Sequence, residues 1–110
     1  CVRPPVVRPG EPVRRLQVTA GQNRGDRYAV AEGETVIGRG PECQIDLDDP
    51  TTSKTHTRLR VIAGQTLCED LDSKHGTLVN GRPVQSVWLR SGDEITIGKT
   101  VLRFEELARG

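Results

Sequence analysis

Turn signals break this chain of 110 residues about every ten positions, and no stretch between them holds a 3.6-residue apolar period. They are Asn23-Arg24-Gly25-Asp26, Glu32-Gly33, Ala63-Gly64, Asn80-Gly81, Ser91-Gly92-Asp93 and Gly98-Lys99. Between them lie short runs of period two. Leu16-Gln17-Val18-Thr19-Ala20 alternates, as do Ile45-Asp46-Leu47, Thr57-Arg58-Leu59-Arg60-Val61 and Ile95-Thr96-Ile97. Val, Ile and Thr are stiff at χ1 and suit pleated surfaces. Many short strands at this spacing predict an all-β sandwich or barrel. Asn80-Gly81, between Thr77-Leu78-Val79 and Arg82-Pro83-Val84, predicts a hairpin whose turn needs φ > 0 twice. Leu102 to Arg109 reads as a last strand with a short end. Aromatics are only 3% of the chain, so the core must rest on Val, Ile and Leu.

Residues 1–14 read as a proline-rich basic tail, with Pro4, Pro5, Pro9 and Pro12 blocking helix and sheet ladder alike. The folded domain is expected over residues 15–110. Net charge is +1, too balanced to drive binding to nucleic acid or a membrane. With one Trp, one Tyr and one Phe, stacking platforms for nucleic acid are missing. No apolar run is long enough for a membrane helix, and no signal-peptide pattern is visible. Three cysteines, Cys1, Cys43 and Cys68, show no metal-ligand spacing and no disulfide framework. A reducing cytoplasm is the expected setting, and Cys43 and Cys68 read as small strand-associated hydrophobes. The absence of Met and the abundance of Arg favour a GC-rich bacterial source.

Three groups of residues sit between the strands. They are Gly38-Arg39, Thr52-Ser53-Lys54-Thr55-His56, and the run from Asp70 to Gly81. Arg39, Ser53, Lys54 and Lys74 are donors suited to phosphate: a planar fork, a hydroxyl and two point charges. Neighbouring glycines let backbone N–H groups approach an anion. Other motifs do not hold. Gly92 to Thr100 ends in Gly-Lys-Thr but has the wrong spacing for a P-loop, and its filler Asp-Glu-Ile-Thr-Ile is a strand. Arg24-Gly25-Asp26 is a turn. Ser53, His56, Asp72, Ser73 and His75 include the residue types of a hydrolase triad, yet no nucleophile elbow surrounds either serine.

Gly38-Arg39, Ser53-x-x-His56 and Ser73-x-x-Gly76-Thr77-x-x-Asn80-Gly81 together resemble the signature of forkhead-associated (FHA) domains. The resemblance runs from about Leu16 to about Glu106. It implies a β-sandwich of about eleven short, mainly antiparallel strands, with loops at one end that bind phosphothreonine. It implies no catalysis, cofactor or metal. Arg39, Ser53, Lys54, Lys74 and His75 fall at phosphopeptide-binding positions. Gly38, His56, Gly76, Thr77, Asn80 and Gly81 fall at positions that shape the loops, His56 by bracing them. Two positions depart from the family pattern. His75 stands where Asn is usual, and Lys54 replaces Arg and with it any bidentate contact. The family's preference for threonine rests on its methyl, worth about 0.8 kcal/mol when buried.

The implied function is phosphothreonine-dependent recruitment of a protein partner, or of a segment of a longer parent protein, downstream of a Ser/Thr kinase. The domain is expected to be monomeric. Residues 1–18 hold no threonine, so they cannot supply the ligand. The alternative is a scaffold module with an unused pocket. Glu42, Asp46, Asp48 and Asp49, just before the Ser53 loop, read as a solvated stretch or as a rim selecting basic flanks.

Overall fold

The computed structural model describes residues 13–21, 24–30, 33–40, 43–47 and 52–107. The proline-rich stretch ahead of Val13 lies outside them, as do Glu42, Asp48 and Asp49. Among the described residues eleven strands form two sheets. They are β1 (Val13–Ala20), β2 (Arg27–Ala29), β3 (Gly33–Gly38), β4 (Ile45–Asp46), β5 (Thr57–Ile62), β6 (Gln65–Asp70), β7 (Thr77–Val79), β8 (Arg82–Val84), β9 (Ser86–Leu89), β10 (Glu94–Ile97) and β11 (Thr100–Leu107). One sheet runs β2-β1-β11-β10-β7-β8 and the other β4-β3-β5-β6-β9. The fold is an all-β, mainly antiparallel sandwich.

Period-two alternation does the sorting. In β5, Thr57 and Leu59 face inward while Arg58 and Arg60 face out. In β10, Ile95 and Ile97 are fully buried. Leu16, Val18, Ile37, Leu59, Leu102 and Phe104 join them between the sheets. Each such apolar side chain contributes about 1.5–3 kcal/mol on leaving water. The outward charges pair across strands: Glu69 meets both Arg58 and Arg60, at 3.2 and 2.6 Å.

Three features add to or correct the sequence reading. Strand β1 begins at Val13, so Arg14 belongs to a strand and not to a tail. Its side chain is buried, lies 3.0 Å from Glu106 Oε2, and donates through Nη2 to Gly64 O at 2.9 Å. Proline composition ahead of Val13 hides this, because the pairing partner is at the far end of the chain. Strand β4 runs parallel to β3, the only parallel ladder among the described residues. Cys43 lies in the loop between them and not in a strand.

The turns behave as their composition predicts. Asn80 (φ 52°) and Gly81 (φ 81°) close β7 onto β8, with Val79 opposite Arg82. Ala63 (φ 51°) and Gly64 (φ 82°) close β5 onto β6 in the same manner. Both turns lie at one end of the sandwich. The opposite end gathers the end of β3, the start of β5, the end of β6 and the start of β7.

Candidate functional site

Two segments that are far apart in sequence cross at this second end. The chain leaving β3 runs against the backbone of Ser53 and Lys54. Arg39 N donates to Ser53 O at 3.0 Å, and Gly40 N to Lys54 O at 3.1 Å. The approach is close enough to require glycine at position 38. A Cβ there would stand 2.2 Å from Lys54 O and 2.9 Å from Ser53 O, both backbone atoms. Cys43 Sγ adds a third contact, 3.0 Å from Lys54 O. Its thiol therefore serves the loop, which the reading as a strand hydrophobe missed.

His56 joins the third segment. Its side chain is fully buried. Nδ1 accepts from Ser53 N at 3.1 Å, so the proton sits on Nε2, which donates to Gly76 O at 2.8 Å. One neutral imidazole thus fixes two loops to each other. Ser53 Oγ accepts from Lys74 N at 3.1 Å and ties them again. This arrangement also disposes of hydrolysis through this pair. Nδ1 takes the Ser53 amide and Nε2 the Gly76 carbonyl, so neither imidazole nitrogen is bonded to the Ser53 hydroxyl.

The loop carrying Lys74 and His75 is shaped by Asp70, which the sequence reading did not single out. Its carboxylate accepts from Ser73 Oγ, from Ser73 N at 3.3 Å and from Thr77 Oγ1 at 2.7 Å. Because the Thr77 hydroxyl gives its proton to Asp70, Thr57 Oγ1 is the donor in the buried Thr57–Thr77 bond of 2.8 Å. The Asp70-x-x-Ser73 spacing is a local turn signal that could have been read. The Thr57 contact, twenty residues from Thr77, could not.

The expected binding residues divide by exposure. Ser53 is half-buried, while Arg39, Lys54, Lys74 and His75 are exposed. Arg39 is held at one nitrogen, Nε donating to Thr52 O at 3.1 Å, and its terminal nitrogens have no hydrogen bond among the described residues. None of the three cations has a carboxylate partner among the described residues. Asn80 and Gly81 lie at the opposite end and shape a turn there. Of the acidic residues considered as a rim, Asp46 is described and exposed.

Two groups beneath the loops are electrostatically set. Burial, with Asp70 and Glu69 adding to it, pushes the Cys68 thiol up to about 12. It is a packing group and no nucleophile. For Glu69, burial pushes the carboxyl up, but hydrogen bonds from Arg60 and Arg58 outweigh it and hold the group below its ordinary value.

Residues 35–98 match the sequence model of the FHA domain. The glycogen accumulation regulator GarA of Mycolicibacterium smegmatis is 42% identical over 89 residues, covering 81% of this chain and 56% of that protein. An oxoglutarate dehydrogenase inhibitor of Corynebacterium efficiens is 43% identical, covering 81% and 63%. The chain therefore spans a little over half the length of these curated relatives. Among solved structures, an FHA domain from a study of phosphothreonine-dependent interactions superposes with a TM-score of 0.79 at 35% identity, covering 84% of this chain and 95% of that one. The FhaA FHA domain complexed with the intracellular domain of Rv3910 gives 0.78 at 35%, covering 84% and 99%.

Proposed function

The chain belongs to the FHA-domain family, and from that premise we propose that it binds phosphothreonine segments of protein partners through Arg39, Ser53, Lys54, Lys74 and His75. The observation that carries this reading is the locked scaffold under three exposed cations, Arg39, Lys54 and Lys74, with no carboxylate partner among the described residues. His56, Asp70 and Gly38 fix three loop segments without using the side chains of Lys54 or Lys74. Such a site is preorganised for an anion that arrives later.

In this reading Arg39, Lys54 and Lys74 surround the phosphate and Ser53 Oγ–H donates to one of its oxygens. Charge-assisted hydrogen bonds of this kind are worth about 1.5–3 kcal/mol each, offset by desolvation and peptide ordering. The result is a moderate, exchangeable interaction. It depends on a Ser/Thr kinase to write the mark. His75 can bond the ligand backbone where the family usually offers Asn. The domain acts without catalysis, as a monomer in the cytoplasm, with the proline-rich stretch before β1 as a linker. Among the described residues no helix is long and apolar enough to cross a membrane.

The test is fluorescence anisotropy with a degenerate phosphothreonine peptide library, with phosphoserine and unphosphorylated controls. Wild type should bind the phosphothreonine library best, and Arg39→Ala should weaken it at least tenfold. Equal binding of phosphorylated and unphosphorylated libraries would overturn the reading in favour of a phospho-independent scaffold. Equal binding of phosphoserine would remove the threonine methyl from the account.

A further inference from the structure

The two sheets have four edges: β2 and β8 in one, β4 and β9 in the other. Three of them offer little to a further strand. β4 is two residues long. β2 is three and begins with an arginine, and β8 holds Pro83, which has no N–H to give. β9 reads Ser-Val-Trp-Leu, with no proline and no charge. Proteins commonly blunt edges of this kind.

The backbone groups of β9 face the right way for pairing. Asp70 N donates to Gln85 O at 2.8 Å, just beyond the β6–β9 ladder. Bonded and non-bonded pairs alternate in an antiparallel ladder. Val87 and Leu89 therefore turn their backbone groups toward β6, and Ser86 and Trp88 turn theirs outward.

Each face of this edge offers apolar surface beside polar groups. On the outer face Trp88 is 50% exposed and stands opposite Leu67. On the inner face a cleft of about 430 Å³ opens between the sheets, lined by Val79, Asn80, Arg82, Val84, Val87 and Asp93. A strand added to β9 would send alternate side chains toward Trp88 and into this cleft. Arg82 beside the cleft and Arg90 just past β9 have no carboxylate partner among the described residues.

We propose that the β9 edge is a second docking site for the phosphothreonine partner: an extended segment of that same protein, alternately apolar and carrying an acidic residue, pairs with β9. This rests on the phosphothreonine reading above. Continuity favours such an occupant. The edge starts at the Asp70–Gln85 bond, and Asp70 shapes the loop that carries Lys74. Trp88 lies three register steps below Asp70, about 10 Å at strand spacing. Area also favours it. Four edge residues bury far less than the ~1,200 Å² of a stable interface. A segment already tethered through its phosphate sees the edge at about millimolar effective concentration. A second copy of this chain would gain no tether and would bring more arginine to the same edge.

The probe is the tightest phosphothreonine peptide from the library, lengthened at either end by a Gly-Ser spacer and one of two tips. One tip alternates valine and threonine around a single glutamate; the other is Gly-Ser of equal length. The valine tip should tighten binding about tenfold at one end of the peptide. It should also shift the emission of Trp88, the one tryptophan in the chain. Trp88→Thr should remove the gain while binding the Gly-Ser probe as wild type does, and Arg82→Glu should reduce it. Equal affinity of the two tips at both ends overturns the proposal while leaving the pocket intact. Failure of the Gly-Ser probe itself overturns the pocket and the proposal together. A wild-type dimer in sedimentation velocity that Trp88→Thr dissociates assigns the edge to a second copy, which also overturns it.

Discussion

At one end of the sandwich the chain reverses two residues at a time; at the other it is held by contacts between loops about twenty residues apart. Ala63-Gly64 and Asn80-Gly81 close their hairpins with left-handed backbone dihedrals, and Arg14 on Gly64 O and Asn80 on Asp93 and Glu94 add to turns already made. The pocket end depends on His56 to Gly76, Thr57 to Thr77 and Lys74 to Ser53, each spanning twenty or twenty-one positions. Local turns need only the right residue types. A non-local site needs every partner in place, so its shape is as good as its weakest brace. Damage at the pocket end should therefore cost stability and binding together, while changes at the turn end should touch stability alone.

Gly38→Ala should have the largest effect. The new Cβ meets backbone at 2.2 and 2.9 Å, and no flexible side chain is there to yield. Overpacking of this sort costs typically 1–3 kcal/mol, and the upper value is expected here, about 3 kcal/mol. Urea unfolding measures it. Phosphopeptide binding of the remaining folded protein should fall more than tenfold, because the Ser53-Lys54 backbone must shift. A variant with wild-type stability and affinity would show that the loop gives way freely, and the contrast between the two ends would collapse.

Asp70→Asn ranks next. The carboxylate faces three donors, and an amide keeps one acceptor oxygen while turning an N–H₂ toward the rest. About 2 kcal/mol of stability should go, with about a tenfold loss of affinity, or 1.4 kcal/mol. Loss of affinity without loss of stability would sharpen the comparison. It would make Asp70 a device for placing Lys74 and His75 more than for holding the fold.

The same contrast explains what could be read from the sequence. Strand alternation, the Asn80-Gly81 hairpin and the buried aliphatics are local patterns, and they appear where the residues predict them. Gly38, Arg39, Ser53 and His56 stand at family spacing, and the fold gathers them at one end, because linked motifs record a geometry that no single segment reveals. Residues acting across the fold were not. Cys43 donates to Lys54 O from a loop that looks like a strand, and Arg14 reaches Gly64 from a stretch that looks like a tail. The parallel β3–β4 pairing was likewise hidden, since alternation does not say which way a neighbour runs.

Ala63→Gly should have the smallest effect, and its sign is the useful part. Ala63 is held at φ 51°, in the left-handed region, where an L side chain costs roughly 1–2 kcal/mol. Glycine removes that penalty but raises the entropy of the unfolded chain by about 0.5–1 kcal/mol. The residue is exposed, so little packing is lost. The difference favours the variant by about 0.5 kcal/mol, a rise of roughly 2–4 °C in Tm for a domain this size. Phosphopeptide affinity should stay within experimental error, because the turn lies at the far end from Ser53 and, among the described residues, shares no hydrogen bond with the loops there. A fall in Tm would mean that the Ala63 side chain supports the turn beside the Arg14–Gly64 bond. A change in affinity would mean that β5 and β6 transmit strain along their length, and the two ends would no longer be independent.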